Sequence, residues 1–211
     1  YNPFIASWSP YHGAAYAVVE ACAKVVAAGA GYEKMRFSYQ EYFERMTDRK
    51  SWGKPLSALL GALKMQVEFG LPSIGGKDSM SGTFENINVP PMLMAFGITT
   101  VDAGQVISPE LKYEGNKLYL IKHTPLENHM PDVEQLKANW KYVHEQIQAE
   151  NIVSGYALGF GGLAEAICKM SFGNGLDARI TYDEKELLIT VRSLSSQRWN
   201  LIIRMPYLSE K

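Results

Sequence analysis

Apolar residues run almost unbroken from Ala14 to Ala30, interrupted by Glu20 and Lys24. Ser9 can cap this stretch, Pro10 suits its first turn, and Gly29 can end it in a left-handed conformation. The pattern predicts a helix apolar on nearly every face, hence one buried against a sheet or another subunit. A capping-box pattern, Ser38-Tyr39-Gln40-Glu41, predicts a short second helix. A third is predicted over residues 55–69, with Pro55 near its start and Gly70 and Pro72 at its end. Residues 71–74 read as a short strand emptying into a glycine-rich loop, Gly75 to Gly82. After Pro90-Pro91 a β-like run spans 92–101, and from Asp102 to Gly115 the pattern lapses into Gly, Pro and Ser. Beyond it the expectation is strand (117–122), helix (133–149), strand (152–158) and helix (163–170). A strand near 176–182 and β-leaning runs at 187–191 and 201–205 follow. Such alternation predicts an α/β architecture, with α+β layers and no internal repeat.

Composition narrows the class. The chain has 211 residues, 46% hydrophobic and 20% charged, enough to bury a core without disulfide or metal staples. Its 21 basic and 22 acidic side chains leave a net charge of −1, which gives no electrostatic case for nucleic acid or an anionic membrane. No apolar run approaches the ~20 residues of a bilayer span. No secretory signal pattern is read at the start. Cys22 and Cys168 sit singly in apolar, helix-like contexts and are expected to be reduced core residues of a cytoplasmic protein. Trp52 and Trp140 are expected in the core or at its boundary. The sequence opens at Tyr1 without a methionine, so a piece of a longer polypeptide is expected.

The residues with most chemical content are Gly75-Gly76-Lys77-Asp78-Ser79-Met80-Ser81-Gly82. Paired glycines after a strand allow a sharp turn that aims consecutive N–H groups at a phosphate. Lys77 adds a mobile cation, Asp78 is a candidate Mg²⁺ ligand, and Ser79 offers a hydroxyl. A Walker A loop is excluded, because Leu71 and Asp78 stand where it needs glycine and Ser or Thr. A plain polar turn with solvated Lys77 and Asp78 accounts for the same letters.

The string Leu71-Pro-Ser-Ile-Gly-Gly-Lys-Asp-Ser-Met-Ser-Gly-Thr-Phe84 resembles the Gly-Gly-Lys-Asp-Ser-Met-Ser signature of large, glutamine-dependent phosphoribosylformylglycinamidine synthases. The stretch Ser9-Pro10-Tyr11-His12-Gly13-Ala14-Ala15-Tyr16-Ala17-Val18-Val19-Glu20 is similar to a segment upstream of that signature, and Trp52-Gly53-Lys54-Pro55 and Leu59-Leu60-Gly61-Ala62 fit as well. The resemblance covers residues 1 to about 180. It implies part of the second of two aminoimidazole ribonucleotide synthetase-like halves. Two domains are then expected: 1–107, a truncated N-terminal-type domain carrying the Gly-Gly-Lys-Asp-Ser-Met segment, and 108–211, a C-terminal-type α/β domain. The implied reaction is ATP-dependent carbon–nitrogen ligation, converting formylglycinamide ribonucleotide and glutamine to the formylglycinamidine ribonucleotide. It implies ATP and Mg²⁺ as cofactors, nucleotide substrates, and the rest of the synthetase polypeptide, including a glutaminase domain, as partner. The resemblance assigns nucleotide or phosphate contact to Gly75, Gly76, Lys77, Asp78 and Ser79. It leaves the catalytic residues unassigned and the isolated fragment inactive.

Relatives carry an Asp-x-Ser-Asp-Gly-Gly turn where this chain reads Ala157-Leu158-Gly159-Phe160-Gly161-Gly162. Without those carboxylates the half-site is expected to be degenerate or auxiliary, with Phe160 filling nucleotide space and the half serving a structural role. The same turn offers a rival reading, a dinucleotide-binding oxidoreductase fragment with the fingerprint Gly159-x-Gly161-x-x-Ala164. His12 is expected to cap or pack rather than to bind. His123, His129 and His144 lack metal-ligand spacing. No role is assigned to residues 186–211.

Overall fold

The computed structural model describes residues 1–178 and the strand Leu201–Met205. Asn2 opens it: its side-chain oxygen accepts the N–H groups of Phe4 and Ile5, and Pro3 takes the first helical position of α1 (Pro3–Trp8). This helix was not among those predicted, although the Asn-Pro pair is a start signal. Ser9 then caps α2 (Pro10–Ala27), its hydroxyl accepting the His12 N–H. Twelve of the 18 residues of α2 are buried, as its all-round apolar pattern requires.

The predicted helix at Ser38–Glu41 is instead a strand, β1 (Arg36–Tyr42). Period-2 burial decides it: Phe37, Tyr39, Glu41 and Phe43 point inward while Ser38, Gln40 and Tyr42 alternate outward. Aromatic residues on that period outweigh a four-letter capping pattern. The genuine capping box lies downstream, where Asp48 accepts the Ser51 N–H at 2.7 Å and the Ser51 hydroxyl accepts the Asp48 N–H at 3.0 Å. Helix α3 (Arg49–Phe69) therefore starts ahead of Pro55 and runs through it, ending at Gly70 with φ 68°. The Gly70 end is as predicted; the start moves because the cap precedes the proline.

Strand β2 (Ser73–Ser79) pairs parallel with β1, and β5 (Met92–Ile98) pairs antiparallel on the other side of β1, giving the order β2-β1-β5. A two-stranded hairpin, β3 (Thr83–Phe84) and β4 (Ile87–Asn88), lies between β2 and β5 in sequence. The predicted glycine-rich loop is thus largely strand: residues 75–79 extend β2 instead of curling. Inter-strand hydrogen bonding to β1 holds this backbone extended, which letters common to turns did not reveal.

In the later part, β6 (Lys117–Ile121), α4 (Val133–Gln148), β7 (Ser154–Ala157) and α5 (Gly162–Phe172) fall where the pattern placed them. Strand β8 (Leu201–Met205) sits between β6 and β7 and is antiparallel to both. Residues 176–178 are not strand, and residues 179–182 and 187–191 of the predicted runs lie outside the described residues.

Helix α2 is the hub, packing against α3, β5, β7 and α4. The main core runs from Val18, Val19 and Phe37 to Trp140, Val143 and Ile147 of α4 and to Ile152 and Ala157. A smaller cluster, Leu111, Leu158, Ala166 and Met170, lies under α5. Residues 102–115 are knitted in by backbone hydrogen bonds from Ile107 to Ala28 and from Leu111 to Met170. Trp140 is buried against Tyr32 and Phe69, but Trp52 is exposed, contrary to expectation. Cys22 is in the core; Cys168 is exposed, on the solvent side of α5, so it is not the core residue that its apolar neighbours suggested.

Candidate functional site

Two glycine-paired segments are candidates, and each is built differently. In the first, register slips between Phe37↔Ser73 and Ser38↔Gly75, so Ile74 is an extra residue and β2 is bulged just before its glycines. Gly75 has φ 154°, and a Cβ on Gly76 would lie 2.5 Å from the Tyr39 carbonyl oxygen. Gly76 thus allows a close strand–strand approach, while Gly75 supplies the positive φ at the bulge. Past the bulge Gln40 faces Lys77, Glu41 faces Asp78 and Tyr42 faces Ser79.

Alternation along a strand then sends Lys77 and Asp78 to opposite faces of the sheet. Lys77 lies on the outer face with its Nζ 5.2 Å from the Tyr42 ring centroid, a cation–π contact. The Tyr42 hydroxyl reaches Gln40 Oε1 at 3.4 Å on that same face. Asp78 lies on the inner face beside Glu41. Gly75, Gly76, Lys77 and Asp78 are exposed and Ser79 is half-buried, its carbonyl accepting the Phe43 N–H at 2.9 Å. The five predicted residues are therefore together in sequence and strand, but the cation and the carboxylate do not converge on one point.

Glu41 is the residue that sequence reasoning missed. It is 6% exposed, and its Oε1 has no hydrogen-bond partner among the described residues. Burial, reinforced by the negative Asp78, raises its pKa to about 7 from an ordinary 4.5. An inward-facing carboxyl poised near neutrality beside an exposed carboxylate can hold a proton, or contribute oxygens to a cation. The signal was present: Glu41 occupies an inward position of the alternation set by Phe37, Tyr39 and Phe43.

The second segment leaves β7 and enters α5. Gly162 (φ 61°) donates its N–H to the Gly159 carbonyl, closing the turn. The Gly161 N–H, which a bound anion would otherwise meet at this helix start, donates to Glu165 Oε2 at 2.7 Å. Glu165 is in turn ion-paired with Lys169. Both influences hold the Glu165 carboxyl below its usual range, Lys169 contributing more than the Gly161 N–H. Phe160 stacks on Phe4, with centroids 5.3 Å apart and planes at 11°.

The histidines are structural in their contacts. His12 Nδ1 lies 2.8 Å from Ser9 Oγ and Nε2 3.1 Å from the Asn128 carbonyl, so it caps and packs as expected. His123 is buried and its Nε2 accepts the Asp132 N–H at the start of α4; burial lowers its pKa to about 4. Among the described residues no group of three or more His, Cys, Asp or Glu is placed to hold a metal ion. No helix among them is long and apolar enough to cross a membrane.

No protein-family model matches the chain. It is 23% identical over 193 residues to the phosphoribosylformylglycinamidine synthase subunit PurL of Lactobacillus delbrueckii subsp. bulgaricus, covering 82% of this chain and 26% of that protein. Thermotoga maritima PurL complexed with FGAR superposes with a TM-score of 0.68 at 19% identity, over 95% of this chain and 29% of that one. Its complex with ATP gives 0.67 at 17% identity, over 96% and 34%. The fold is PurL-like. Thiamine monophosphate kinase from Aquifex aeolicus also shares it, with a TM-score of 0.56 at 11% identity, over 98% of this chain and 75% of that one. The chain spans about a quarter of the length of the curated PurL relatives that it matches. The α/β class and the aminoimidazole ribonucleotide synthetase-like character expected of the sequence are thereby met. The PurL-like topology also disfavours the dinucleotide reading. Strand β7, which precedes the Gly159 turn, pairs antiparallel with β8, whereas that fingerprint belongs to a parallel βαβ unit.

Proposed function

We propose that this chain is part of the second synthetase half of a phosphoribosylformylglycinamidine synthase. The observation that carries the reading is the PurL likeness along 95% of the chain in a structure complexed with FGAR. The whole protein would join ammonia from glutamine to formylglycinamide ribonucleotide at the expense of ATP, acting in the cytoplasm with a glutaminase domain and the remaining synthetase half. In this division residues 1–107 are the truncated N-terminal-type domain and 108–211 the C-terminal-type domain.

Within it, Gly75, Gly76, Lys77, Asp78 and Ser79 are the nucleotide- or phosphate-facing segment. Lys77 is the charge partner on the outer face. Mg²⁺ takes one or two protein carboxylates and completes its shell with water and phosphate. Asp78, beside Glu41, fits that sparse demand, and the ion would supply charge neutralisation for phosphate there. The 157–162 turn does not fit it. It lacks a carboxylate of its own, its Gly161 N–H is satisfied by Glu165, and Phe160 stacks on Phe4. These features support a degenerate half-site with a structural role.

Glutamine- and ATP-dependent turnover of formylglycinamide ribonucleotide by the full polypeptide tests the reaction; its absence would remove the reading. In that protein Lys77→Ala is expected to reduce activity more than Lys54→Ala, since the Lys54 charge is already taken up by its ion pair with Glu44. Calorimetric titration with ADP and Mg²⁺ tests the degenerate turn: binding that is abolished by Phe160→Asp but untouched by Lys77→Ala would overturn it.

A further inference from the structure

The sheet β2-β1-β5 sorts its charges by face. Register and alternation set Arg36, Gln40 and Tyr42 of β1 on the outer face with Lys77 and Ser79 of β2, while β5 contributes only apolar side chains there. That face holds two cations and no carboxylate, since Glu41 and Asp78 lie on the inner one. Arg36 is occupied with the Lys34 and Met35 carbonyls, at 3.2 and 2.8 Å. Lys77 is different. Seven other described lysines are ion-paired with a glutamate, whereas Lys77 has no ion pair among the described residues. Its partner is the Tyr42 ring, whose centroid is 5.2 Å from Nζ. A neutral ring restrains an ammonium without cancelling its charge.

The neighbours of Lys77 on this face are further donors. Gln40 is paired with Lys77 and Tyr42 with Ser79 across the parallel ladder. Adjacent strands lie about 4.8 Å apart, so side chains at paired positions are within reach of one ligand. The Tyr42 hydroxyl donates to Gln40 Oε1 at 3.4 Å, which engages the amide oxygen and leaves the Nε2 hydrogens without a partner among the described residues. An ammonium, an amide N–H and the Ser79 hydroxyl are donors that phosphate oxygens accept, and the cation strengthens the bond. With no carboxylate on the face, nothing repels the anion, and nothing there would hold a divalent ion between it and the protein. The charge segregation therefore favours direct recognition of an oxyanion.

We propose that Lys77, Gln40 and Ser79 form a phosphate site on the outer face that works without a metal ion, and that Tyr42 is the positioning residue of Lys77. This rests on the reading of residues 75–79 as the phosphate-facing segment, to which it adds Gln40 and Tyr42. Acetylation of Lys77 by an N-hydroxysuccinimide ester, read by mass spectrometry on the full polypeptide in EDTA, tests it. Pyrophosphate or ribose 5-phosphate is expected to protect Lys77. Either supports the site, and the one that protects at lower concentration identifies the source as a nucleoside polyphosphate or a sugar phosphate ester. Tyr42→Leu and Gln40→Ala should each raise the half-protecting concentration about fivefold with far-UV circular dichroism unchanged, while Tyr42→Phe, which keeps the ring, stays within roughly twofold. Asp78→Asn should not weaken protection. If Tyr42→Leu disturbs the fold, Gln40→Ala and Asp78→Asn carry the test. Protection that requires Mg²⁺ or the Asp78 carboxylate would overturn the proposal. Indifference to Tyr42→Leu would overturn the positioning role, and indifference to Gln40→Ala the donor role. A Lys77 that resists acetylation before any anion is added would assign its charge to another part of the polypeptide and overturn the site. Protection without synthetase turnover would keep the site and remove the synthetase reading; turnover without protection would do the reverse.

Discussion

The two glycine-paired segments look alike as letters and behave differently as structure. At Gly75-Gly76 the glycines let β2 lie against β1, leaving Lys77 and Asp78 exposed on opposite faces and Glu41 buried beside Asp78. At Gly161-Gly162 the glycines turn the chain into α5, and the helix start is filled by the protein's own Glu165. The first segment keeps charges available to a ligand, whereas the second has internalised its counter-charge. Each glycine pair thus supplies one positive φ, at Gly75 and Gly162, and one position with no room for a Cβ, at Gly76 and Gly161, and its neighbours in space decide whether an anion is welcome.

Alanine at each glycine breaks the comparison most directly. Gly76→Ala forces a Cβ to within 2.5 Å of a backbone oxygen that cannot move without disturbing the ladder. A loss of about 3 kcal/mol or more is expected in denaturant unfolding. Gly161→Ala sets its Cβ 2.4 Å from the Glu165 Cβ, which rotation cannot move, but the α5 start can shift without breaking a strand ladder, so a smaller loss of about 2 kcal/mol is expected. Equal losses at the two sites would erase the distinction.

The next largest effect belongs to Glu41 and is read in pH. Its folded pKa of about 7 lies above the ordinary 4.5, so between these values the folded state holds a proton that the unfolded chain has released. Stability from this group is complete below pH 4.5 and falls as pH rises to about 7. His123 has the opposite sign. Its folded pKa of about 4 lies below the ordinary 6.5, so its contribution is lost as pH falls from 6.5 to 4. Glu41→Gln should remove the first limb and leave the second, stabilising the protein by roughly 2 kcal/mol at pH 8. Thermal unfolding between pH 4 and 8 checks both limbs.

Smaller effects sharpen the contrast. Glu165→Ala removes the acceptor of the Gly161 N–H and should cost about 1 kcal/mol while opening the α5 start to inorganic phosphate. Phosphate-dependent elevation of Tm in that variant, absent in the unsubstituted protein, is the expected reading. Lys77→Ala loses only an exposed cation–π contact, about 0.5 kcal/mol by thermal unfolding. A larger loss would mean that Lys77 is structural.

Much of the fold was legible wherever burial imposed a long period. The caps of α2, the Gly70 end of α3, α4 and strands β5 to β7 follow from apolar spacing and punctuation. Short signals failed where tertiary pairing competed with them. Ser38–Glu41 matched a helix cap yet joined a sheet through its aromatic alternation, and 75–79 matched a turn yet paired with β1. Of the candidate site, Lys77 and Asp78 could be named from the string; their divergence could not, because it depends on pairing with β1, while the inward place of Glu41 was marked only by the alternation of Phe37, Tyr39 and Phe43.

What the amino-acid order determined by itself is the buried helix after Ser9, the α/β alternation and the glycine-rich string at 75–82, since local spacing and backbone freedom act within a few residues. What only the tertiary structure decided is partnership. Register across β1 and β2 set Asp78 beside Glu41, the α5 turn set Glu165 on Gly161, and packing on α2 left Leu56 and Leu63 of α3 outward. Contacts between residues distant in the chain depend on register and layer stacking, which no single segment encodes.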